Sequence, residues 1–270
     1  MASPSEPRVE LPSGGERAHF ARSRFVPGLV AFALDNTTSC RSWLHETVDF
    51  CAVLEGSADV TYRRSNLTFE RGDTMIYAPG ETHRDRRIHK AGYVRVTSVA
   101  PSLFPRPLEP YRARFQDPAL LSAIVALHDA VTTSAPGLDQ ESLLAELVAR
   151  AEVHIDGASA EPARAPAAVR RVMDLIHARY AEALSLDMLA EAAGISKFHL
   201  VRVFKRETGM PPHAFLNLVR VHRAGAKLAA GQPSAAVAVE VGFVDQSHLN
   251  RHFLRHLGVT PGRFQREIRK

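Results

Sequence analysis

The sequence predicts an α+β protein of two domains: a small antiparallel β-barrel, then an all-α domain with two helix-turn-helix units. Three observations lead to this fold class. Residues 20–100 break into short β-rich segments separated by Gly, Pro, Asn and Asp. Residues 157–168 have the Ala, Pro, Ser and Gly composition of a linker, and the segments after the linker have helical periodicity. A chain of 270 residues is long enough for two hydrophobic cores.

Short apolar or alternating runs, each ending at a turn signal, predict the strands of the barrel. We place strands at residues 24–34 (interrupted at Pro27-Gly28), 48–54, 58–62, 67–69, 74–78 and 93–99. Residues 20–110 are therefore predicted to form the barrel domain. Residues 1–19 are polar and rich in Pro and Gly, which predicts a disordered lead.

Two helices are predicted between the barrel and the linker, over residues 111–156. Asp117-Pro118 is a helix start, with Asp as N-cap and Pro in the first turn. A second apolar stripe at helical spacing covers residues 140–155. The two helices are expected to form an antiparallel hairpin. Their apolar faces could cover the barrel or pair with a second subunit.

The domain at residues 169–270 contains one short pattern twice. His199, Leu200, Arg202, Phe204, Arg206, Gly209 and Pro212 recur, at an offset of 49 residues, as His248, Leu249, Arg251, Phe253, Arg255, Gly258 and Pro261. In each copy a short helix, a glycine turn and a capped second helix follow in order, which is the pattern of a helix-turn-helix. A helix at about residues 213–230 connects the copies.

The second helix of each unit has one apolar face and one polar face. Leu200, Val203 and Phe204 are predicted core, which leaves the opposite side free to enter a DNA major groove. Arg202 and Arg251 suit bidentate contacts to guanine, Gln246 and Asn250 suit adenine, and lysines suit phosphates. The predicted DNA-binding residues are Lys197, Phe198, Val201, Arg202, Lys205, Gln246, Ser247, Asn250 and Arg251.

Charge supports a nucleic-acid partner for this domain. Residues 167–270 contain 16 Lys and Arg against 8 Asp and Glu, although the whole chain has a net charge of only +5. The preceding residues are slightly acidic. A basic domain on an acidic body is typical of binding to a polyanion.

Residues 170–267 resemble the AraC/XylS family of bacterial transcription regulators. The matching stretches are A-x-x-x-G-I-S-x-x-x-L-x-R-x-F-K from Ala190, V-G-F-x-D-Q-S-x-L-N-R-x-F from Val241, and G-V-T-P-x-x-F from Gly258. Val201 departs from the polar residue common there. The resemblance implies promoter DNA, RNA polymerase and a small-molecule effector as partners, a homodimer, and activation as the form of regulation.

The barrel resembles a degraded cupin. Trp43-x-His45 with Asp49 and Gly56 stands where the first cupin motif has His-x-His, Glu and Gly, and Pro79-Gly80-x-x-His83 resembles the second motif. One ligand histidine is missing, so no metal and no cofactor are predicted, although His45, Asp49 and His83 offer a possible metal set. The predicted effector-binding residues are Trp43, His45, Asp49, Tyr77 and His83. Arg84, Arg86 and Arg87 are candidates for binding an anionic effector.

Two other functions remain open: a metal-dependent cupin enzyme fused to a DNA-binding domain, and a DNA-binding protein without a ligand. We expect a regulator and no enzyme. The sequence contains neither the apolar core of a signal peptide nor a run of about 20 apolar residues, which predicts a cytoplasmic protein without membrane contact. Cys40 and Cys51 are expected to be ordinary packed thiols, with a redox switch as the alternative.

Overall fold

The computed structural model describes residues 15–63, 65–104, 114–154 and 166–268. Eight strands form one antiparallel sheet, in the order β1-β2-β7-β4-β6-β8, with β3 added beside β7 and β5 beside β4. This sheet takes the place of the predicted barrel, and one of its faces lines a cavity. The strands are β1 Arg17–Arg22, β2 Leu29–Thr37, β3 Ser42–Leu44, β4 Val48–Tyr62, β5 Ser65–Glu70, β6 Thr74–Tyr77, β7 Thr82–Val99 and β8 Arg114–Phe115.

Two strands are longer than the sequence predicts. β4 and β7 pair along their whole length, from Val48 opposite Val99 to Tyr62 opposite His83, and their register shifts repeatedly between Val53 and Val60. The predicted break at Gly56 is therefore an irregularity inside one strand. Gly56 has φ +107°, and a Cβ there would lie 2.6 Å from Gly92 Cα, so this close approach requires glycine.

The sheet also begins differently from the prediction. β1 starts at Arg17, within the expected lead, while residues 1–14 of that lead lie outside the described residues. The predicted strand at residues 24–26 is wrong. Ser23 Oγ instead accepts hydrogen bonds from the amides of Phe25 and Val26, because a serine side chain can hold a turn at this point.

The helical hairpin covers the outer face of the sheet. Its helices are α1 Pro118–Thr132 and α2 Gly137–Glu152. Asp117 caps α1 as predicted and accepts from the amides of Ala119 and Leu120. Leu120, Ile124 and Leu127 of α1 are fully buried in one cluster with the sheet residues Phe50 and Ile76. The sequence left open whether the apolar faces of the hairpin cover the barrel or pair with a second subunit. The apolar stripe of α1 covers the sheet, because this face of the sheet is itself apolar.

The remaining helices form the helical domain, residues 167–268. They are α3 Ala167–Arg179, α4 Leu186–Ala193, α5 Lys197–Thr208, α6 Pro212–Ala229, α7 Ser234–Glu240, α8 Gln246–Leu257 and α9 Pro261–Ile268. The first helix-turn-helix unit is α4 with α5, the second is α7 with α8, and α6 connects them. Most of the predicted linker, residues 157–165, lies outside the described residues. No helix of the described chain is both long enough and apolar enough to cross a membrane.

Local signals define both units. Ser196 and Asp245 cap α5 and α8, accepting from the amides of His199 and His248. α6 then joins the units, since Phe215 packs in the first core and Leu228 in the second. From the same helix, Arg220 donates to the carbonyls of Tyr180 and Glu182 at 2.7 and 2.8 Å.

Candidate nucleic-acid interface and ligand cavity

The first reading helix, α5, presents the predicted residues to solvent. Lys197, Phe198, Arg202 and Lys205 are exposed, and Phe198 is 81% exposed. Val201 is partly buried. This ring lies in the first turn of a capped helix, where base edges are contacted in a helix-turn-helix complex.

The charged residues of α5 have weak partners of their own. Arg202 Nη2 lies 3.1 Å from Nδ1 of His199, and Lys197 Nζ lies 3.1 Å from the Asp187 carboxylate. These groups are exposed, and exposed pairs contribute little stability, so DNA can replace them at low cost. His199 was not predicted as a DNA-facing residue. It repeats as His248 in the second unit, and that repetition was the available signal.

The second reading helix, α8, agrees with the prediction at three of its four positions. Gln246, Ser247 and Arg251 are exposed, and Gln246 Nε2 donates to Ser234 Oγ at 2.8 Å. Asn250 does not face fully outward as predicted. It is partly buried, and its Oδ1 is buried without a hydrogen-bond partner among the described residues. Asn250 lies toward the edge of the apolar face of α8, which explains why it is partly buried.

The helix α6 sets the separation of the two units. Its 18 residues span about 27 Å at 1.5 Å per residue. One turn of B-DNA is about 34 Å. A connecting helix of this length suits two reading helices that enter successive major-groove segments on one side of a duplex.

A cavity of about 380 Å³ lies between the sheet and the helical domain. Its wall is mainly apolar and comes from the inner face of the sheet, for example Phe32, Val53 and Met75. The helical domain supplies the rest through α6, α8 and α9. Its contributions are His222, Gly225, Ala226, Ala229, Leu257, Phe264 and Ile268. A molecule in this cavity would therefore contact both domains.

All five predicted effector-binding residues line this cavity: Trp43, His45, Asp49, Tyr77 and His83. Their rings are layered, with Tyr77 stacked on His45 at 4.2 Å and on His83 at 4.6 Å between centroids. Trp43 stacks on His83 at 6.2 Å between centroids. Arg84, Arg86 and Arg87 are exposed on β7 and do not line the cavity.

The possible metal set forms a hydrogen-bond chain. His45 Nδ1 donates to Asp49 Oδ2 at 2.5 Å, and His45 Nε2 lies 2.9 Å from His83 Nδ1. Both ring nitrogens of His45 are thus engaged. In the described part of the chain, no group of three or more His, Cys, Asp and Glu side chains has an arrangement that could hold a metal ion.

Burial acts in opposite directions on the pKa values of Asp49 and His83 in this hydrogen-bond chain. Burial raises the pKa of Asp49, but the hydrogen bonds from His45 and Thr47 outweigh it and hold that pKa below its ordinary value. Burial, together with the neighbouring His45, places the pKa of His83 well below its ordinary value. At neutral pH, Asp49 is therefore ionised and His83 is uncharged.

His222 is the main cavity residue that the sequence did not reveal. It lies on α6 and faces His45 and Asp49 of the sheet, with Arg223 and His256 nearby, and burial lowers its pKa to about 4. A single histidine on an otherwise apolar helix face was the only available signal. Its partners lie more than 170 residues earlier in the chain, so no local pattern connects them.

The C-terminal ends of both reading helices contact one edge of the sheet, which we call the rim (residues 41–44 and 82–85). Thr82 Oγ1 donates to the carbonyl of Thr208, the last residue of α5. At the end of α8, a Cβ on Gly258 would lie 2.8 Å from Arg41 Nη2. The His256 ring hydrogen-bonds to the Ser42 backbone. The guanidinium of Arg41 thus lies at the negative end of a helix dipole.

Comparisons with known proteins agree with this architecture. A family model described as a helix-turn-helix domain matches residues 189–267. The multiple antibiotic resistance protein MarA of Salmonella typhimurium is 30% identical over 98 residues, which is 36% of this chain and 77% of MarA. The uncharacterised transcriptional regulator YbfI of Bacillus subtilis is 26% identical over 195 residues, covering 66% of this chain and 70% of YbfI. Two further curated relatives are matched over only 28% and 24% of their length.

Among solved structures, ToxT of Vibrio cholerae has the same two-domain fold. The apo form of a single-residue ToxT variant superimposes with a TM-score of 0.54 at 12% identity, over 92% of this chain and 100% of ToxT. ToxT with an unsaturated fatty acid bound gives a TM-score of 0.51 at 9% identity, over 94% and 95%. At such identities the likeness concerns the fold.

Proposed function

We propose, from the premise that the chain belongs to the AraC/XylS family of transcription regulators, that a small molecule in the cavity controls how α5 and α8 bind promoter DNA. The observation that carries this proposal is the composition of the cavity wall. Sheet residues such as Tyr77 and helical-domain residues such as His222 line the same space. A ligand there changes the balance between arrangements of the domains if it binds one arrangement more tightly.

The rim offers a physical route from the cavity to the DNA-binding helices. Trp43 and His83 belong to the rim and also line the cavity. Neighbouring rim residues contact the ends of α5 and α8 through Thr82 and Arg41. A ligand that moves the Trp43–His83 pair would therefore move the supports of both helices together.

The fold is compatible with an apolar ligand. The unsaturated fatty acid in one ToxT structure is bound by a protein of this architecture. The cavity volume here lies within the range usual for small-molecule sites, about 300–1,000 Å³. Effector control can be tested by measuring promoter affinity before and after purified protein is stripped of co-purifying small molecules and then re-supplied with them. An affinity unchanged by both steps would contradict the proposal.

The DNA-binding roles predict two kinds of mutant. Arg202→Ala and Arg251→Ala should each lose discrimination at particular base pairs by about 1–3 kcal/mol. Lys205→Ala should weaken binding to all sequences and reduce the salt slope by about 0.9. Arg150→Ala on α2 is a matched control, since this partly exposed arginine lies outside the helical domain and pairs with Glu146 of its own helix. Unchanged base preference in both reading-helix arginine variants would refute the assignment.

A homodimer that contacts RNA polymerase and activates transcription completes the proposal. The hairpin offers apolar groups for a dimer surface, because Leu138 at the start of α2 and Val153 just after its end are each 74% exposed, whereas Leu144 and Leu147 are buried. Leu138→Glu should reduce the sedimentation coefficient from that of a dimer to that of a monomer. Activation is measured with a promoter–reporter assay, in the presence and absence of the small molecules that were stripped from the purified protein. Repression of the reporter would contradict an activator.

A further inference from the structure

The two buried aspartates that line the cavity already accept hydrogen bonds from neighbouring groups. Asp49 accepts from His45 at 2.5 Å and from Thr47 at 2.7 Å. Asp85 accepts from the Arg41 amide at 3.1 Å and from Trp43 Nε1 at 3.2 Å. Neither carboxylate is left to bind a cationic ligand.

Of the other charged lining groups, Glu55, Lys90 and Glu46 belong to ion pairs and Arg22 faces solvent. Glu55 forms an ion pair with Lys90 at the exposed end of the cavity. Glu46 Oε1 forms an ion pair with Arg223 Nε at 3.4 Å, although neither of these two buried atoms has a hydrogen bond among the described residues. Among the described lining residues, the inner cavity therefore offers no free cation to an anionic ligand, and its two buried carboxylates would repel one.

Two uncharged polar atoms remain without a partner. The hydroxyl of Tyr77 and Nε2 of His222 are buried and have no hydrogen-bond partner among the described residues. Tyr77 is 0% exposed, and burial raises its pKa well above the ordinary value, so the hydroxyl keeps its proton. A buried hydroxyl and a buried imidazole nitrogen without partners are costly to the fold. Both residues line the cavity.

We propose that the ligand of this cavity is an uncharged, mainly apolar molecule with a hydroxyl or carbonyl oxygen that hydrogen-bonds to Tyr77 or His222. This inference rests on the proposed function and specifies the ligand class for the same cavity. The apolar wall excludes a ligand that is polar throughout, such as a free sugar. The paired charges exclude a ligand whose affinity depends on a carboxylate or an ammonium group.

The ligand oxygen can affect regulation because its two candidate partners belong to different domains. Tyr77 belongs to β6 of the sheet, and His222 belongs to α6, which connects the two helix-turn-helix units. The same cavity is bounded by apolar contacts that join the domains, such as Phe20 with Phe264 at 4.8 Å between ring centroids. Binding therefore acts on the contact between the domains.

A matched pair of probes tests the ligand class. 1-Decanol and decanoate have the same chain length, and they differ in charge at pH 7.5. Binding to the full-length protein is followed by the emission of Trp43, the single tryptophan of the chain, and by calorimetry. We expect decanol to bind at least tenfold more tightly than decanoate. Equal or tighter binding of decanoate, or no binding of decanol, would overturn the proposal.

Two tyrosine variants test the hydrogen bond. Tyr77→Phe should reduce decanol affinity by roughly two- to tenfold, the effect of one hydrogen bond, and should leave the affinity for decane unchanged. Tyr62→Phe is the control, because the Tyr62 hydroxyl is also in the sheet but donates to Glu81 at 2.6 Å and Tyr62 does not line the cavity. Thermal unfolding confirms that both variants fold. Equal loss of decanol affinity in both variants would refute the role of Tyr77.

The promoter assay separates this inference from the proposed function. If decanoate binds more tightly than decanol and also changes promoter affinity, the ligand class is wrong and ligand control stands. If decanol binds through Tyr77 and promoter affinity does not change with any bound compound, the ligand class stands and ligand control is wrong.

Discussion

Acidification should weaken the contact between the two domains through His222. In the folded protein burial is the main cause that lowers the pKa of this histidine from 6.5 to about 4, and His45, His256 and Arg223 add to the effect while Asp49 opposes it. An unfolded chain binds this proton below pH 6.5, whereas the folded protein binds it only below about pH 4. Between these values the unfolded state holds more protons, so the free energy of unfolding must fall as the pH is lowered.

The magnitude follows from the size of the shift. One pKa unit corresponds to about 1.36 kcal/mol, so a shift from 6.5 to about 4 gives roughly 2 kcal/mol lost at pH 5. His222 is only partly buried, and screening of its exposed part reduces the expected loss to about 1–2 kcal/mol. At pH 7.5 the contribution is negligible, because neither state is then protonated.

The assay is urea unfolding of the wild type and His222→Gln between pH 5 and 7.5. The variant cannot take up the proton, so its stability relative to the wild type should rise by about 1–2 kcal/mol as the pH falls to 5. His213→Gln is the control, since His213 is exposed on the same helix. Parallel pH profiles for the wild type and His222→Gln would refute the reasoning, whatever their absolute stabilities.

Three further substitutions test the units and the rim. Asp245→Ala removes the side-chain cap of α8 and should cost about 1 kcal/mol in urea unfolding. Gly242→Ala should cost more than about 1 kcal/mol, because Gly242 has φ +92° and a Cβ would lie 2.7 Å from the Ala181 carbonyl oxygen. Arg41→Met removes the cation at the end of α8, and we expect a lower Tm and a smaller effect of ligand on promoter affinity. If the Tm of one of these variants is unchanged, the interaction that its substitution alters does not contribute to stability as argued.

The helix-turn-helix units could be predicted because their signals are local. Ser196 and Asp245 cap helices from positions adjacent to them, and Leu200 with Phe204 forms a core stripe within one turn. The 49-residue offset then repeats the same signals. Such features depend on neighbours in the sequence, and the structure confirms the predicted helices to within a few residues.

The sheet and the cavity could be predicted only in part, because they depend on contacts between residues that are distant in the sequence. A glycine at position 56 fits either a turn or an irregularity within a strand, so the sequence alone does not distinguish them. The close approach of Gly56 to Gly92 in the folded sheet makes it an irregularity within β4. The five predicted cavity residues came from a motif resemblance, while His222 and Phe264 enter through packing of the helical domain against the sheet. Asn250 looked outward by periodicity, but burial at the edge of a helix face depends on its neighbours in space.

The position of the rim contacts constrains how a ligand can act. Base edges are contacted by the N-terminal turns of reading helices, and in those turns Phe198 and Gln246 are exposed. The sheet contacts the opposite ends, at Thr208 and Gly258. The docked sheet therefore leaves the reading surfaces open and contacts α5 and α8 at their C-terminal ends. A ligand acting through the rim should change which spacing between half-sites is preferred, more than it changes affinity for a single half-site.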